Sequence, residues 1–383
     1  MPHVVVNGWF LSQPRTGSGQ YLLNLLRALP EAAPNWRVTV VAPQRVLDAV
    51  AADALPESIQ RHSVGGGTGH LAKVWFEQIG FPTACRKLKA DVAHVPYWGP
   101  PLSSPAPVVC TIHDVIPLLL PEHRGGWRVQ LYTALVSVAA RGVSEVIADS
   151  RASQQDIITH LGLPEERVSV VYLAAEARYH PRVMLTPAIR EKYNLPENYV
   201  LYLGGFMRRK NVHQLIAAWT WVAPSLGEQF SLVIAGALPD QPDGRMFYDL
   251  PALVEELKLT ETVRFIGAVE EADKPQLYAG AELFVFPSAY EGFGLPPLEA
   301  MACGVPVLTT DRSSLGEVVG NAAYLIPDPE DARLMGAGII ALIVNGDLRT
   351  DLQMKGKRQA ATFSWQKTAT ETVAIYQRAL AAK

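Results

Sequence analysis

The sequence predicts two doubly wound α/β domains in tandem. Short, apolar, β-branched runs alternate with helix-period segments along the whole chain. The runs are almost continuously apolar instead of alternating, as expected of parallel strands covered on both faces. The pattern pauses in a proline-interrupted stretch and restarts at Val200, and 383 residues suit two cores of ordinary size better than one.

In the first half the candidate strands are 4–6, 38–41, 92–95, 108–112 and 146–148. In the second they are 200–203, 232–235, 263–266, 283–286 and 305–308. Leu22, Leu25, Leu26 and Leu29 recur at i, i+3, i+4, i+7, marking the core face of a helix. Val212, Leu215, Ile216 and Trp219 repeat that spacing after the restart. The stretch 174–198 contains Pro181, Pro187 and Pro196 and little apolar periodicity. An interdomain linker is therefore expected over 178–186, between a first domain 1–177 and a second 187–362. Residues 363–383 are expected to carry a terminal helix with Trp365, Ala369, Thr372, Val373 and Tyr376 on one side, a face too large to leave unburied.

Composition excludes several classes. A net charge of -3 provides no global field for nucleic acid. The opening MPHVVVNGWF reads as a strand, because no cationic start precedes a long apolar run. No segment approaches the ~20 uncharged apolar residues of a membrane span: 131–148 contains Arg141 and Glu145, and 334–344 is too short. Any membrane contact is thus expected to be peripheral. Cys85, Cys110 and Cys303 lie far apart, without metal-ligand spacing, and suit the reducing cytoplasm.

Five segments carry candidate chemistry. The string Pro287-Ser-Ala-Tyr-Glu-Gly-Phe-Gly-Leu-Pro-Pro-Leu-Glu follows a candidate strand with a glycine loop and a proline-started helix, the pattern of an anion site. Glu291 and Glu299 bracket the helix start, and a carboxylate accepts from two neighbouring sugar hydroxyls. One for a ribose and one for a hexose is what a nucleotide sugar requires. Second, Gly204-Gly-Phe-Met-Arg-Arg-Lys-Asn211 places three cations at a strand's carboxyl end, where Arg209 and Lys210 can neutralise a diphosphate leaving group. No Asp-x-Asp loop of the right kind accompanies it, so neither a divalent metal nor another cofactor is expected. Third, Thr16-Gly-Ser-Gly-Gln opens a helix with Gly17 and Gly19. Leu22 stands where a dinucleotide fingerprint has its third glycine, and no acidic ribose ligand follows Val41, which argues against NAD. Fourth, His113 ends the apolar run 108–112, and Asp114 either orients its ring or caps the next turn. In Val146-Ile-Ala-Asp-Ser-Arg-Ala-Ser153, Ser150 either caps a helix or touches a donor.

On these residues the chain resembles the retaining glycosyltransferases of family 4, which have the GT-B fold of two Rossmann-like domains facing a central cleft. The string from Glu291 to Glu299 matches their E-x7-E signature. The resemblance implies that Glu299 holds the donor ribose and that Glu291 contacts hydroxyls of the transferred sugar. It also implies that the amides of Phe293, Gly294 and Leu295 meet sugar and diphosphate. Gly205, Arg209 and Lys210 match the family's phosphate-binding element, and Gly17 and Gly19 its glycine loop near the diphosphate. His113 matches a histidine that contacts the reacting sugar, in a His-Asp subgroup that includes bacterial mannosyltransferases of surface-polysaccharide synthesis. Residues 363–383 match a last helix that packs back on the first domain. The implied function is metal-independent, retaining transfer of a hexose, first choice mannose from GDP-mannose, to a saccharide or lipid-linked acceptor. Donors on dTDP, UDP or ADP stay open, as do a nucleotide-sugar 2-epimerase and a silent nucleotide-sugar-binding subunit of the same fold. The segment 69–88, with Trp75, Phe76 and Phe81, is either an acceptor surface or a core helix.

Overall fold

The computed structural model describes residues 1–67 and 69–382; Thr68 and Lys383, which fall in the expected first domain and terminal helix, lie outside the described residues. The chain divides into two compact units, Met1–Leu173 with Ser364–Lys383, and Ala174–Phe363.

The first unit holds a seven-stranded sheet, β1 (His3–Asn7), β2 (Arg37–Pro43), β3 (Gln60–Val64), β4 (Val92–Val95), β5 (Val108–Ile112), β6 (Glu145–Ala148) and β7 (Val168–Val170). Their order is β3-β2-β1-β4-β5-β6-β7, and every pairing is parallel. The second unit repeats the plan with β8 (Tyr199–Leu203), β9 (Ser231–Ala235), β10 (Val263–Gly267), β11 (Leu283–Phe286), β12 (Val307–Thr310) and β13 (Tyr324–Ile326), ordered β10-β9-β8-β11-β12-β13 and again all parallel. In both sheets the strand order reverses beside the unit's first strand, between β1 and β4 and between β8 and β11. Such a switch point opens a crevice at the strands' carboxyl ends, where ligands of doubly wound sheets bind.

Three strands are absent from the sequence-based assignment: β3, β7 and β13. All are sheet edges. β3 reads Gln-Arg-His-Ser-Val and is mostly exposed, so it lacks the continuous apolar run that marked the central strands. The expected strand 305–308 begins two residues later, at Val307, because Val305 and Pro306 finish the turn from the preceding helix.

The stretch 178–186, expected as the linker, packs on the second unit. Tyr179 is buried with its ring 5.9 Å from that of Tyr278, and Thr186 donates to Gln276 Oε1 from its amide (3.0 Å) and hydroxyl (2.9 Å). The segment belongs to the second unit, and the first unit's main body ends at Leu173.

The terminal helix Trp365–Ala381 buries Thr368, Ala369, Thr372, Val373, Ile375, Tyr376 and Ala379 within the first unit, against the helix Gly17–Ala32. Ser364 caps it, and Thr368 Oγ1 donates to the Tyr172 carbonyl (2.6 Å). Tyr376 Oη meets His94 Nδ1 at 2.7 Å, His94 Nε2 meets Thr111 Oγ1 at 3.0 Å, and Thr111 Oγ1 meets Tyr21 Oη at 2.9 Å. Burial keeps His94 neutral, with its pKa pulled down to about 3. This buried polar chain ties four elements of the unit together only because each member has a partner.

The two glycines opening the helix Gly17–Ala32 differ. Thr16 caps the helix by accepting from the Gly19 amide (3.1 Å). A Cβ on Gly19 would lie 2.0 Å from the Gln13 carbonyl oxygen, whereas one on Gly17 would meet nothing within 4 Å. Gly19→Ala is therefore expected to destabilise the protein by about 1–3 kcal/mol through overpacking, and Gly17→Ala to stay within about 0.5 kcal/mol of wild type. Urea unfolding of both variants checks this; equal stabilities would contradict the close approach at Gly19.

Candidate functional site

At the second switch point two loops are zipped together. The loop after β8 runs through Gly204 and Gly205 into a turn, Arg208–Lys210, and Asn211 in the left-handed region (φ 53°) starts the helix Val212–Leu226. The loop after β11 runs through Ser288 to Glu291 and ends at Gly294 (φ 108°), which opens the helix Leu295–Ala302. That positive φ favours glycine, and a Cβ there would also sit 2.7 Å from Leu315 Cδ2. The Ala289 amide donates to the Arg209 carbonyl (2.8 Å), and Arg209 Nη1 donates to the Tyr290 carbonyl (2.6 Å). From the neighbouring β12 loop, Ser314 Oγ donates to the carbonyls of Glu291 (2.9 Å) and Phe293 (2.7 Å).

Glu291 sits at the junction. Its Oε1 accepts from Lys210 Nζ at 2.5 Å and from the Ser288 hydroxyl, and its Oε2 lies 3.1 Å from Arg209 Nη1. All three charged groups are almost fully buried. Burial alone would raise the Glu291 pKa, but Lys210 and Arg209 outweigh it and hold the carboxyl down at about 2. The trio carries a net charge of one plus. Three of the expected site residues, Glu291, Arg209 and Lys210, thus form one cluster. The cations are engaged by the carboxylate instead of standing alone as a clamp.

Glu299 is buried one turn and more into its helix, in a separate setting. Tyr278 Oη donates to its Oε2 (3.0 Å). Burial raises its pKa, against the opposing pull of Lys274 and the Tyr278 hydrogen bond. Phe293 is buried edge-on against Phe363 (5.9 Å), and Leu295 is the first residue of the helix. A Cβ on Gly205 would meet nothing within 4 Å, so the space beside it is open.

In the first unit, register builds a pair. Ile112 faces Ala148 where β5 and β6 lie side by side, so the next residues, His113 and Asp149, emerge together. His113 Nδ1 and Asp149 Oδ2 are 2.7 Å apart. The Tyr21 ring lies edge-on at 5.0 Å, and Ser153 Oγ holds the His113 carbonyl (2.9 Å). The other nitrogen, Nε2, is buried and lacks a well-formed hydrogen bond, with the Pro96 carbonyl near it. Burial lowers the imidazole pKa, but Asp149, by charge and hydrogen bond, with help from Asp114, leaves it above the ordinary histidine value.

These contacts bear on two alternatives. Asp114 Oδ1 accepts from the Ile116 amide (3.0 Å), so it caps the following turn, and the carboxylate that orients His113 is Asp149. Ser150 Oγ accepts from the Ser153 amide (3.0 Å) and caps the helix Arg151–Leu161. Asp149, Ser288 and Tyr278 are the residues that sequence reasoning missed. Among the described residues no group of three or more His, Cys, Asp or Glu side chains is arranged to hold a metal ion.

Residues 15–177 match the family described as Glycosyltransferase Family 4, and residues 186–359 the family described as Glycosyl transferases group 1. The chain is 34% identical over 274 residues to O-antigen chain mannosyltransferase B of Escherichia coli, covering 70% of each chain. It belongs to glycosyltransferase family 4. The serotype-specific mannosyltransferase WbdA of Escherichia coli is 30% identical over 285 residues, which are 72% of this chain but 34% of that one, so the likeness spans about a third of the longer protein. Among solved structures, sucrose-phosphate synthase from Thermosynechococcus elongatus superposes over 100% of both chains with a TM-score of 0.75 at 21% identity. This glycosyltransferase therefore has the GT-B fold, and its two sheets are the two Rossmann-like domains of that fold. Among its described residues no helix is long and apolar enough to cross a membrane.

Asp149→Asn tests the His113 pair. Because the folded-state pKa of His113 is raised, the pair stabilises the protein fully below the unfolded value of about 6.5 and loses its effect as pH rises through the folded value. The variant is expected to lower the His113 pKa in an NMR titration, with the stability gap to wild type widest on the acid side. An unchanged titration would contradict the pairing.

Proposed function

We propose that this glycosyltransferase moves mannose from GDP-mannose to a saccharide or lipid-linked saccharide, with retention of configuration and without a metal ion. The observation that carries the reading is the buried Glu291–Arg209–Lys210 cluster at the second switch point. It offers net positive charge for a diphosphate and, beside it, a carboxylate for sugar hydroxyls. The two relatives named as mannosyltransferases support the sugar.

In this reading Arg209 and Lys210 meet the diphosphate, with the amides of Phe293, Gly294 and Leu295 at the helix start and the open space beside Gly205 admitting the phosphates. Glu291 receives hydroxyls of the transferred hexose. Glu299, with one oxygen on Tyr278, receives the ribose. Gly17 and Gly19 approach the diphosphate by backbone, Ser150 supports the donor through the helix it caps, and His113 contacts the reacting sugar through Nε2.

The chemistry asks for no nucleophile on the protein. The acceptor oxygen bonds to the anomeric carbon on the face from which the phosphate departs. The anomeric carbon–oxygen bond breaks with its electron pair going to the phosphate, and that phosphate oxygen takes the acceptor's proton. The protein contributes position and charge: two cations against the departing diphosphate do the electrostatic work a metal does elsewhere. The three cysteines are all buried and free, which suits a cytoplasmic enzyme.

The test supplies GDP-mannose and a panel of saccharide acceptors in excess EDTA and reads the product by proton NMR. The expected result is a mannoside with the donor's anomeric configuration, formed at a rate insensitive to EDTA. Glu299→Ala is expected to raise the donor KM about tenfold, the loss of one charged hydrogen bond. An inverted linkage overturns retention, and turnover that EDTA abolishes and magnesium or manganese restores overturns metal independence. Release of GDP with an altered free sugar and no need for acceptor identifies an epimerase instead.

A further inference from the structure

The helix Trp127–Arg141 of the first unit turns its apolar side the wrong way for a globular surface. Of its fifteen residues only Val136, Ala139 and Ala140 are buried. Trp127, Leu131, Ala134 and Val138 fall at i, i+4, i+7 and i+11, a single stripe along the helix. That stripe faces solvent: Trp127 is 71% exposed, Leu131 65% and Val138 57%. The neighbouring helix His70–Trp75, continued by the π-turn Phe76–Gly80, shows the same habit at four-residue spacing, with Leu71 87%, Trp75 41% and Ile79 53% exposed. The two are locked side by side, since Lys73 Nζ donates to Tyr132 Oη (3.1 Å) and Tyr132 Oη donates to the buried Glu77 carboxylate (3.0 Å). Scattered exposed apolar residues are ordinary, but two adjacent stripes, each with an indole, mark a contact surface.

Charge identifies what it contacts. The helix Trp127–Arg141 contains no acidic residue. Arg124 and Arg128 are exposed at its Trp127 end, with the Arg128 guanidinium 5.2 Å from the Trp127 ring centre, and Arg141 stands at the other end. Glu122, the nearest acid before the helix, is partly covered. Local positive charge therefore stands out on a chain whose net charge is -3. We propose that this helix, with the adjoining stripe of Leu71, Trp75 and Ile79, docks the enzyme on an anionic lipid bilayer. An in-plane helix of this kind sinks its apolar face to the acyl boundary and keeps arginine and indole groups at headgroup level. A second copy of the chain fits poorly, because arginines stand at both ends of the stripe, so pairing the stripes in either direction would set Arg124 and Arg128 of one copy against Arg124 and Arg128 or Arg141 of the other. The proposal does not depend on the identity of the donor sugar.

Sedimentation of the full chain with vesicles tests it, comparing pure phosphatidylcholine with equal parts phosphatidylcholine and phosphatidylglycerol. Wild type is expected to sediment with the mixed vesicles and much less with the neutral ones. Leu131→Gln with Val138→Gln, both at exposed positions, is expected to stay in the supernatant. Arg124→Gln with Arg128→Gln is expected to lose the preference for phosphatidylglycerol, by roughly fivefold per arginine. Transfer to a soluble acceptor stays at the wild-type rate in both variants. Wild type that ignores both vesicles overturns the proposal, and so do variants that sediment like wild type. Self-association without vesicles that the Leu131 and Val138 changes abolish assigns the face to a second copy, which also overturns it.

Discussion

A carboxylate buried between two cations governs the second domain. Glu291 comes from the loop after β11, and Arg209 and Lys210 come from the turn after β8. Strand order makes these loops neighbours, and the charges hold them there. Removing three charged groups from water carries a desolvation penalty that is offset only when geometry is good and remaining hydrogen-bonding capacity is met. Here Ser288 supplies an additional donor to Glu291, and the Tyr290 carbonyl accepts from Arg209. Much else in the domain follows from this junction. The hydroxyl of Ser314 ties the loop's carbonyls to the strand beyond, and Gly294 turns the chain so that the helix Leu295–Ala302 begins beside the cluster.

The first domain answers with a different device at the same topological place. β5 and β6 end in register, so a histidine and an aspartate that are 36 residues apart meet at 2.7 Å. The hydrogen bond commits Nδ1, and Tyr21 and Ser153 fix the ring and its backbone. The other ring nitrogen, Nε2, is buried, with the Pro96 carbonyl near it. Behind it, the polar chain from Tyr21 through Thr111 and His94 to Tyr376 couples the loop-bearing strands to the terminal helix. The last residues of the sequence thereby help to hold the first domain's strand ends.

The central strands and the Glu291–Glu299 string were legible in the sequence because each is a local signal: a continuous apolar run, or a spacing along one helix start. What was not legible depends on partners distant in sequence. Asp149 lies within a segment whose strand and helix start were recognised, yet nothing local marks it as the partner of His113. Asp114, adjacent in sequence, was the local candidate for orienting the ring, yet its Oδ1 accepts from the Ile116 amide while Asp149 meets Nδ1. The edge strands β3, β7 and β13 are short and partly solvated, so they lack the two-sided burial that made their neighbours readable. The stretch 178–186 reads as a linker by its prolines and its sparse periodicity, while its burial comes from single contacts such as Tyr179 on Tyr278. The engagement of both cations by Glu291 was likewise invisible, although all three residues were singled out.

That engagement is the claim most open to direct test. If Arg209 and Lys210 bind the diphosphate while Glu291 serves the sugar, the carboxylate opposes the binding of a nucleotide diphosphate that has no sugar. Glu291→Gln keeps an acceptor for Lys210 and Ser288 but raises the cluster's charge by one unit. A unit charge about 6 Å from a phosphate is worth roughly 3 kcal/mol at an effective dielectric near 20. Calorimetric titration of GDP into Glu291→Gln should therefore show binding at least several-fold tighter than wild type, while sugar transfer is lost. Weaker binding of GDP by the variant, in a protein that remains folded, would contradict the account.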